Sequence, residues 1–433
     1  MNYPEAVEYV NSFVNYERTN AYDYPEAFKL DRMRALAKAL GNPQNAYESV
    51  IIAGSKGKGS TALILSSILR MENLRVGLYT SPHLVDVRER IQVNGNPVSE
   101  ARFIELVLLL RRILDDASWR KNPPTYFEAL TAMAFRHFKD MKIHVAVLEV
   151  GLGGLYDSTN IARAKAVGFS SISLEHTDKL GKTVAKIAVQ KCGIIKGREV
   201  VISAPQTSEA ETVIQKAAEE REAELFRVGK EIKIFERDSG ESFQRFDLKT
   251  PFGNFFNLEL RLLGWHQIEN AALAVGLAKA LEKKTRLKVS DAAMRQGLLD
   301  ARWPGRLEKK SERPLIIFDG AQNPASVRRL LLGLKRHFHF NRLIVVLGVS
   351  SDKDVDGILR EIVPEAFYLV ATQSENPRAL PAKTIRLAAE AFHKEVFTEE
   401  SPGGALERAK TLAKEDDLIV VTGSLFLLGD LTR

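Results

Sequence analysis

SVIIAGSKGKGSTALILSSILRM (residues 49–71) decides how the rest of the chain is read. Residues 49–54 form a short apolar run ending in glycine, the pattern of a strand buried on both faces. From Ser60 onward the apolar residues recur at helical spacing. The loop between carries Gly54, Ser55, Lys56, Gly57, Lys58, Gly59, Ser60 and Thr61. Backbone N–H groups at a helix start bind phosphate through hydrogen bonds and the helix dipole, and glycines let the backbone approach closely. Lys58 offers a point charge for β- and γ-phosphates, and Ser60 a hydroxyl for Mg²⁺ or phosphate. The common loop G-x-x-x-x-G-K-[ST] fits imperfectly. Ile52 stands where its first glycine belongs, and Gly59 delays the hydroxyl by one residue. Taken alone, the loop is also compatible with an ordinary glycine-rich turn.

Outward from this stretch the same alternation repeats. RVGLYT (75–80), HVAVLEVG (144–151) and AVGFSSIS (166–173) read as strands, and 99–114 and 126–138 as helices. Strands apolar on both faces that alternate with helices imply a parallel sheet covered on both sides. Residues 225–262 alternate differently and read as an antiparallel extension, followed by a helix over 267–284. Pro304 and Gly305 interrupt LDARWPGRLE (299–308), which we take as an interdomain linker. The α/β pattern then restarts with PLIIFDGA, RLIVVLGV, AFYLVAT and DLIVVTGS as strands and helices over 325–337, 381–393 and 405–414. The expected architecture is α/β: an N-terminal P-loop-type doubly wound ATPase-like domain (1–298) with a small antiparallel extension, a linker (299–306) and a C-terminal Rossmann-like α/β domain (307–433).

Composition narrows the class. At 433 residues, 45% hydrophobic and 27% charged, the chain is an ordinary globular protein of two or three domains. It has no apolar run of membrane-spanning length and no secretory pattern at its start, and its one cysteine, Cys192, excludes an intrachain disulfide. A cytoplasmic location is expected. The net charge of +7 is spread without basic runs or interleaved aromatics, which favours anionic small molecules over nucleic acid.

Chemistry-bearing residues gather at strand ends, where open α/β sheets bind ligands. LEVGLGGLYDSTN (148–160) puts Glu149 there, a candidate Mg²⁺ ligand or else a salt-bridged carboxylate. SISLEHTDKLG (171–181) puts Glu175, His176 and Asp178 at the next end. VQKCGIIK places Lys191 on a helix, and SPHLVDVRERI offers Ser81, His83 and Arg90. By themselves these lysine, histidine and loop residues read as surface or structural groups. DGAQNP, LGVSSDKD and TGSL follow strands of the second domain and suggest an edge that closes a cleft. No GxSxG, HExxH or CxxC is present, against the commonest serine-hydrolase and zinc classes.

Nine stretches in this order resemble the folylpolyglutamate synthase/dihydrofolate synthase family of Mur-type ligases, from about residue 30 to 430: GSKGKGST, TSPHLVDVRERIQVNG, TYFEALTAMAF, LEVGLGGLYDSTN, LEHTDKLGKTVAKIAVQKCGIIK, GWHQIENAALA, RWPGRLE, DGAQNP and TGSLFLLGD. The family's loop has the form G-x-x-G-K-G-S, so the misfit to the common P-loop is its own pattern. The resemblance implies an ATP-dependent ligase in which ATP phosphorylates a substrate carboxylate and the amino group of L-glutamate attacks the acyl phosphate. It implies Lys58, Glu149, His176 and Lys191 as catalytic residues and Ser60, Ser81, Glu149 and His176 around Mg²⁺. It implies nucleotide contacts at residues 54–61, Asn270, Arg306 and Asp319, and substrate contacts at Arg90, Tyr126, Gln322 and Ser424. Lys191 matches a lysine that becomes carbamylated in the family. The implied partners are ATP, L-glutamate and folate, with no nucleic acid or membrane, and the chain is expected to be a monomer.

Departures from the family pattern bear on the substrate. Lys56 replaces a common Asn, Leu155-Tyr156 stands for Arg-Leu, and Gln190 replaces Glu before Lys191. These look like eukaryotic-type folylpolyglutamate synthases and favour extension of the glutamate chain of a reduced folate. Dihydrofolate synthase activity, alone or combined, is the alternative, followed by a divergent ligase with a non-folate acid. A nucleotide-binding module without turnover is the rival outside the enzymes. Gln322 replaces the usual His of D-G-A-H and cannot shuttle protons.

Overall fold

The computed structural model describes residues 1–17, 30–392 and 395–432. The run Ser49–Gly54 forms the heart of the first sheet. Its strand β1 (Glu48–Ala53) alternates Val50 and Ile52 into one core with Ile51 and Ala53 into another, so both faces are buried. That is why the sequence shows an unbroken apolar run rather than period-two alternation.

Among the described residues the sheet has eight strands: β1, β2 (Val76–Tyr79), β3 (Ile91–Val93), β4 (Asn96–Pro97), β5 (Val145–Glu149), β6 (Ala166–Phe169), β7 (Val200–Ser203) and β8 (Glu224–Arg227). Their order is β4-β3-β2-β5-β1-β6-β7-β8, parallel except for the β2-β3-β4 edge. Helices Glu100–Leu114, Tyr126–Asp140, Val184–Cys192 and Ser208–Glu220 cover one face. Helices Lys58–Met71, Trp265–Lys284 and Asp291–Asp300 cover the other. Gly297 lets the last of these approach the helix Lys58–Met71. A Cβ there would stand 2.3 Å from the Ile68 Cα, inside any permitted contact.

The antiparallel extension is a three-stranded sheet of β9 (Lys233–Ser239), β10 (Gln244–Thr250) and β11 (Gly253–Leu260). It starts later than the sequence suggests. Residues 224–227 instead pair in parallel with β7, as an edge strand that is only half buried and lacks the unbroken apolar run of the inner strands.

The second α/β unit has the order β12-β13-β17-β14-β15-β16, from Glu308–Glu312, Leu315–Phe318, Leu418–Thr422, Leu343–Leu347, Tyr368–Ala371 and Val396–Thr398. All but the β12–β13 pair are parallel. Its helices include Pro324–His337, Ala382–Glu390 and Pro402–Leu412. The expected helix over 381–393 thus ends early, and His393 lies outside the described residues. The two units touch directly: a Cβ on Gly429 would meet the Leu84 carbonyl at 2.3 Å, and His337 Nδ1 lies 3.0 Å from the Gly240 carbonyl. Among the described residues no helix is long and apolar enough to cross a membrane.

Candidate active site

The loop 54–57 leaves the central strand β1, with the carboxyl ends of β5 and β6 on either side. Gly54 and Gly57 have φ of 148° and 93°, a region L-residues avoid. A Cβ at Gly54 would overlap the Ser170 hydroxyl at 1.9 Å, and one at Gly57 would meet Asn270 Oδ1 at 2.4 Å. The loop is pinned from β6: Ser55 and Lys56 donate their N–H groups to the Ser171 carbonyl (2.8 and 3.1 Å), and Ser55 Oγ donates to the Ser173 carbonyl (3.0 Å). Gly57 caps the helix Lys58–Met71 with no side-chain acceptor, which leaves first-turn N–H groups to water or an anion.

Two ammonium groups converge on one carbonyl. Lys58 Nζ and Lys191 Nζ both donate to Gly54 O, at 3.0 and 2.8 Å. Lys191 is only 2% exposed, and its other partner is Glu175 Oε1 at 2.8 Å. Burial, with Lys58 adding to it and Glu175 opposing, pushes the Lys191 pKa down. Burial pushes Glu175 up, but Lys191 and Lys58 outweigh it and hold the carboxyl below its usual range. Lys56 is lowered to about 8 by burial, with Lys58, Lys353 and Arg306 contributing and Glu175 opposing. Five cations (Lys56, Lys58, Lys191, Arg306 and Lys353) thus surround two carboxylates, Glu149 and Glu175. A polyanion is the ligand that such a surplus suits.

Glu149 ends β5 and accepts the Ser81 N–H at 3.0 Å. Its carboxylate lies against Gly59, where a Cβ would be 3.4 Å from Oε2. It therefore sits beside the helix turn that carries the buried Ser60. Burial raises its pKa against the pull of Lys58. His176, in left-handed backbone (φ 45°), belongs to the Glu175 corner; desolvation, aided by Lys58, Lys191 and Lys353 and opposed by Glu175, lowers its pKa.

Among the described residues no three His, Cys, Asp or Glu side chains form a metal cage. One carboxylate that accepts the Ser81 N–H and lies against the turn carrying Ser60 is still a hard oxygen ligand that fits Mg²⁺, which commonly takes one or two carboxylates and fills its shell with phosphate and water. A carbamate on Lys191 fits less simply, since it would face the Gly54 carbonyl and the Glu175 carboxylate that the ammonium now satisfies.

The remaining expected residues fall into two groups. Asn270 packs on Gly57 and is held by Gln267 (3.0 Å). Arg306 packs beside Gly320, and Asp319 accepts the Leu307 and Ala321 N–H groups, both at 2.9 Å. These gather where the second unit meets the loop. Arg90 and Tyr126 pack against each other. Arg90 is 2% exposed and donates Nη1 and Nη2 to the two oxygens of Glu17 (2.7 Å each) and Nε to His83 (2.9 Å), with Tyr126 packed on its face. Its fork is filled from within the chain. Ser424 is buried and caps the helix Leu425–Asp430 by accepting the Phe426 N–H, and Gln322 lies in the turn closed on Ser326. Sequence reading missed Lys353 and Glu17. The first lay inside LGVSSDKD as one charge among several, and no spacing rule links residue 17 to residue 90.

The chain is similar to known proteins over nearly its whole length. Residues 52–278 match the Mur ligase middle domain and 305–425 the Mur ligase glutamate ligase domain. The dihydrofolate synthase/folylpolyglutamate synthase of Bacillus subtilis is 33% identical over 408 residues, 93% of this chain and 94% of that protein. The folylpolyglutamate synthase of Lacticaseibacillus casei is 32% identical over 431 residues, 99% of this chain and 97% of that protein. A crystal structure of Mycobacterium tuberculosis folylpolyglutamate synthase complexed with ADP and AMPPCP superposes with a TM-score of 0.87 at 34% identity, covering 94% of this chain and 95% of that one.

Proposed function

This chain belongs to the Mur ligase family, among its folylpolyglutamate and dihydrofolate synthases, and from that premise we propose that it is an ATP-dependent ligase adding L-glutamate to the γ-carboxylate of a reduced folate. The observation that carries the reading is the convergence of Lys58 and Lys191 on Gly54 O at an uncapped helix start. The relatives' nucleotide complexes support ATP as the polyanion.

In this reading the loop amides and Lys58 hold the β- and γ-phosphates, and Asn270 of the first unit, Arg306 of the linker and Asp319 of the second unit hold the rest of the nucleotide. Ser60, Ser81, Glu149 and His176 would hold Mg²⁺, which when bound supplies charge neutralisation at the phosphate oxygens. A carboxylate is a poor electrophile, so the acid is activated as an acyl phosphate. Lys58 and Lys191 stabilise the charge that moves onto the transferred group, and the site's gain comes from positioning and fixed charge. The amine of glutamate then attacks, and phosphate leaves. Carbamylation of Lys191 would require Glu175 to turn away, and intact mass after incubation with bicarbonate tests it. We take the units as residues 1–298 and 307–433 joined by 299–306, acting as a cytoplasmic monomer.

Phosphate release from ATP, with L-glutamate plus tetrahydrofolate and then plus dihydropteroate, tests the function. Release with tetrahydrofolate is expected. Release with dihydropteroate alone transfers the assignment to dihydrofolate synthase, and release with neither rejects a folate substrate.

A further inference from the structure

The phosphate loop hangs on a segment that lies outside the regular sheet. β6 ends at Phe169, and residues 170–173 run on past it, holding the loop through the Ser171 and Ser173 carbonyls. On its other side the backbone following β7 gives little support. The Ala204 N–H still donates to the Phe169 carbonyl (2.7 Å), but Pro205, the next residue, has no N–H to carry the ladder further.

Gln206 supplies what the backbone there lacks. Its Nε2 donates to the Ser170 carbonyl (3.1 Å) and the Ser203 hydroxyl (3.2 Å), and its Oε1 accepts the Ile172 N–H (2.9 Å). A carboxamide offers the donor and the acceptor of a peptide group, so this side chain stands in for one more residue of strand. Because β6 lies between β1 and β7, residues 170–172 are gripped by the loop from one side and by Gln206 from the other. The grip reaches the site in two places. The Ser170 carbonyl packs on Gly54, where a Cβ would stand 2.9 Å from its oxygen, and Gly54 O receives both Lys58 and Lys191. Two residues past Ser173 the same segment presents Glu175 to Lys191 Nζ (2.8 Å). Gln206 is half-buried between the exposed Pro205 and Thr207, so shortening it opens no cavity in the core.

We infer that Gln206 is a positioning residue for the phosphate loop. It fixes residues 170–172, and through them the Ser55 and Lys56 backbone and the Gly54 carbonyl, in the arrangement that receives a polyphosphate. This rests on the ligase reading above, in which that polyphosphate is ATP.

The test is calorimetric titration of the full chain with ADP and with AMP, for wild type, Gln206→Met, Gln206→Ala and Thr207→Ala, with thermal unfolding to confirm folding. Gln206→Met keeps the length of the side chain and removes all three hydrogen bonds. Thr207 caps the neighbouring helix Ser208–Glu220 by accepting the Ala210 N–H, so Thr207→Ala reports stability alone. Loss of the grip should weaken ADP binding about 5- to 50-fold and raise the KM for ATP by a similar factor. Affinity for AMP, which lacks the phosphates that the loop holds, and the KM for L-glutamate should stay put. Thr207→Ala should lower the melting temperature and leave ADP affinity where it was. Unchanged ADP affinity in the folded Gln206→Met and Gln206→Ala variants overturns the inference. So does an equal loss for ADP and AMP, or a loss of ADP affinity in Thr207→Ala as large as theirs, since either makes the effect one of general stability. Wild-type protein that binds neither ADP nor ATP overturns the ligase reading, and this inference with it.

Discussion

Lys58 and Lys191 end on the same carbonyl oxygen, and neither arrangement serves the fold alone. Two ammonium groups sharing Gly54 O repel each other, and a polyphosphate between them removes the repulsion. Lys58→Ala is accordingly expected to lower kcat about 10²- to 10³-fold while the unfolding midpoint barely moves, as read by phosphate release and thermal melting. Lys56 gives a pH signature. Its folded pKa of about 8 means that it is cationic below that pH and neutral above it. Nucleotide affinity should hold at lower pH and fall as pH rises through that value, and a Lys56→Met variant should lack the fall. Titration of a fluorescent ATP analogue across this range measures it. Lys58 and Glu149 were legible from position, one after a glycine and one at a strand end. Lys353 was not, because its meaning depends on which loops of the second sheet face the first.

At the scale of elements, close approach accounts for more than composition does. The loop needs glycine at residue 57 for its backbone angle and for Asn270, so Gly57→Ala should cost about 1–2 kcal/mol in strain. It should weaken nucleotide binding more than it lowers the melting temperature. Gly297 is the opposite kind of glycine, used for packing. A methyl group against the Ile68 backbone should cost about 1–3 kcal/mol in denaturant unfolding, with the KM for ATP unchanged in the folded fraction. Strands buried on both faces were readable in the sequence because nothing polar interrupts them. The edge strand Glu224–Arg227 was not, since a half-buried edge lacks the continuous apolar run that marks an inner parallel strand.

For the whole molecule, the site is a meeting of two α/β units. The phosphate loop and Glu149 come from the first, Arg306 from the linker, and Asp319 and Lys353 from the second. The chain's order of motifs showed that both units contribute, but not which side chains face each other, because that follows from contacts such as Leu84 against Gly429. In the proposed reaction this shared cleft activates an acid by phosphorylating it. Tetrahydrofolate labelled with ¹⁸O in its γ-carboxylate, incubated with the protein, ATP and L-glutamate, should deliver label into the released phosphate. Unlabelled phosphate accompanying labelled ligation product would contradict it.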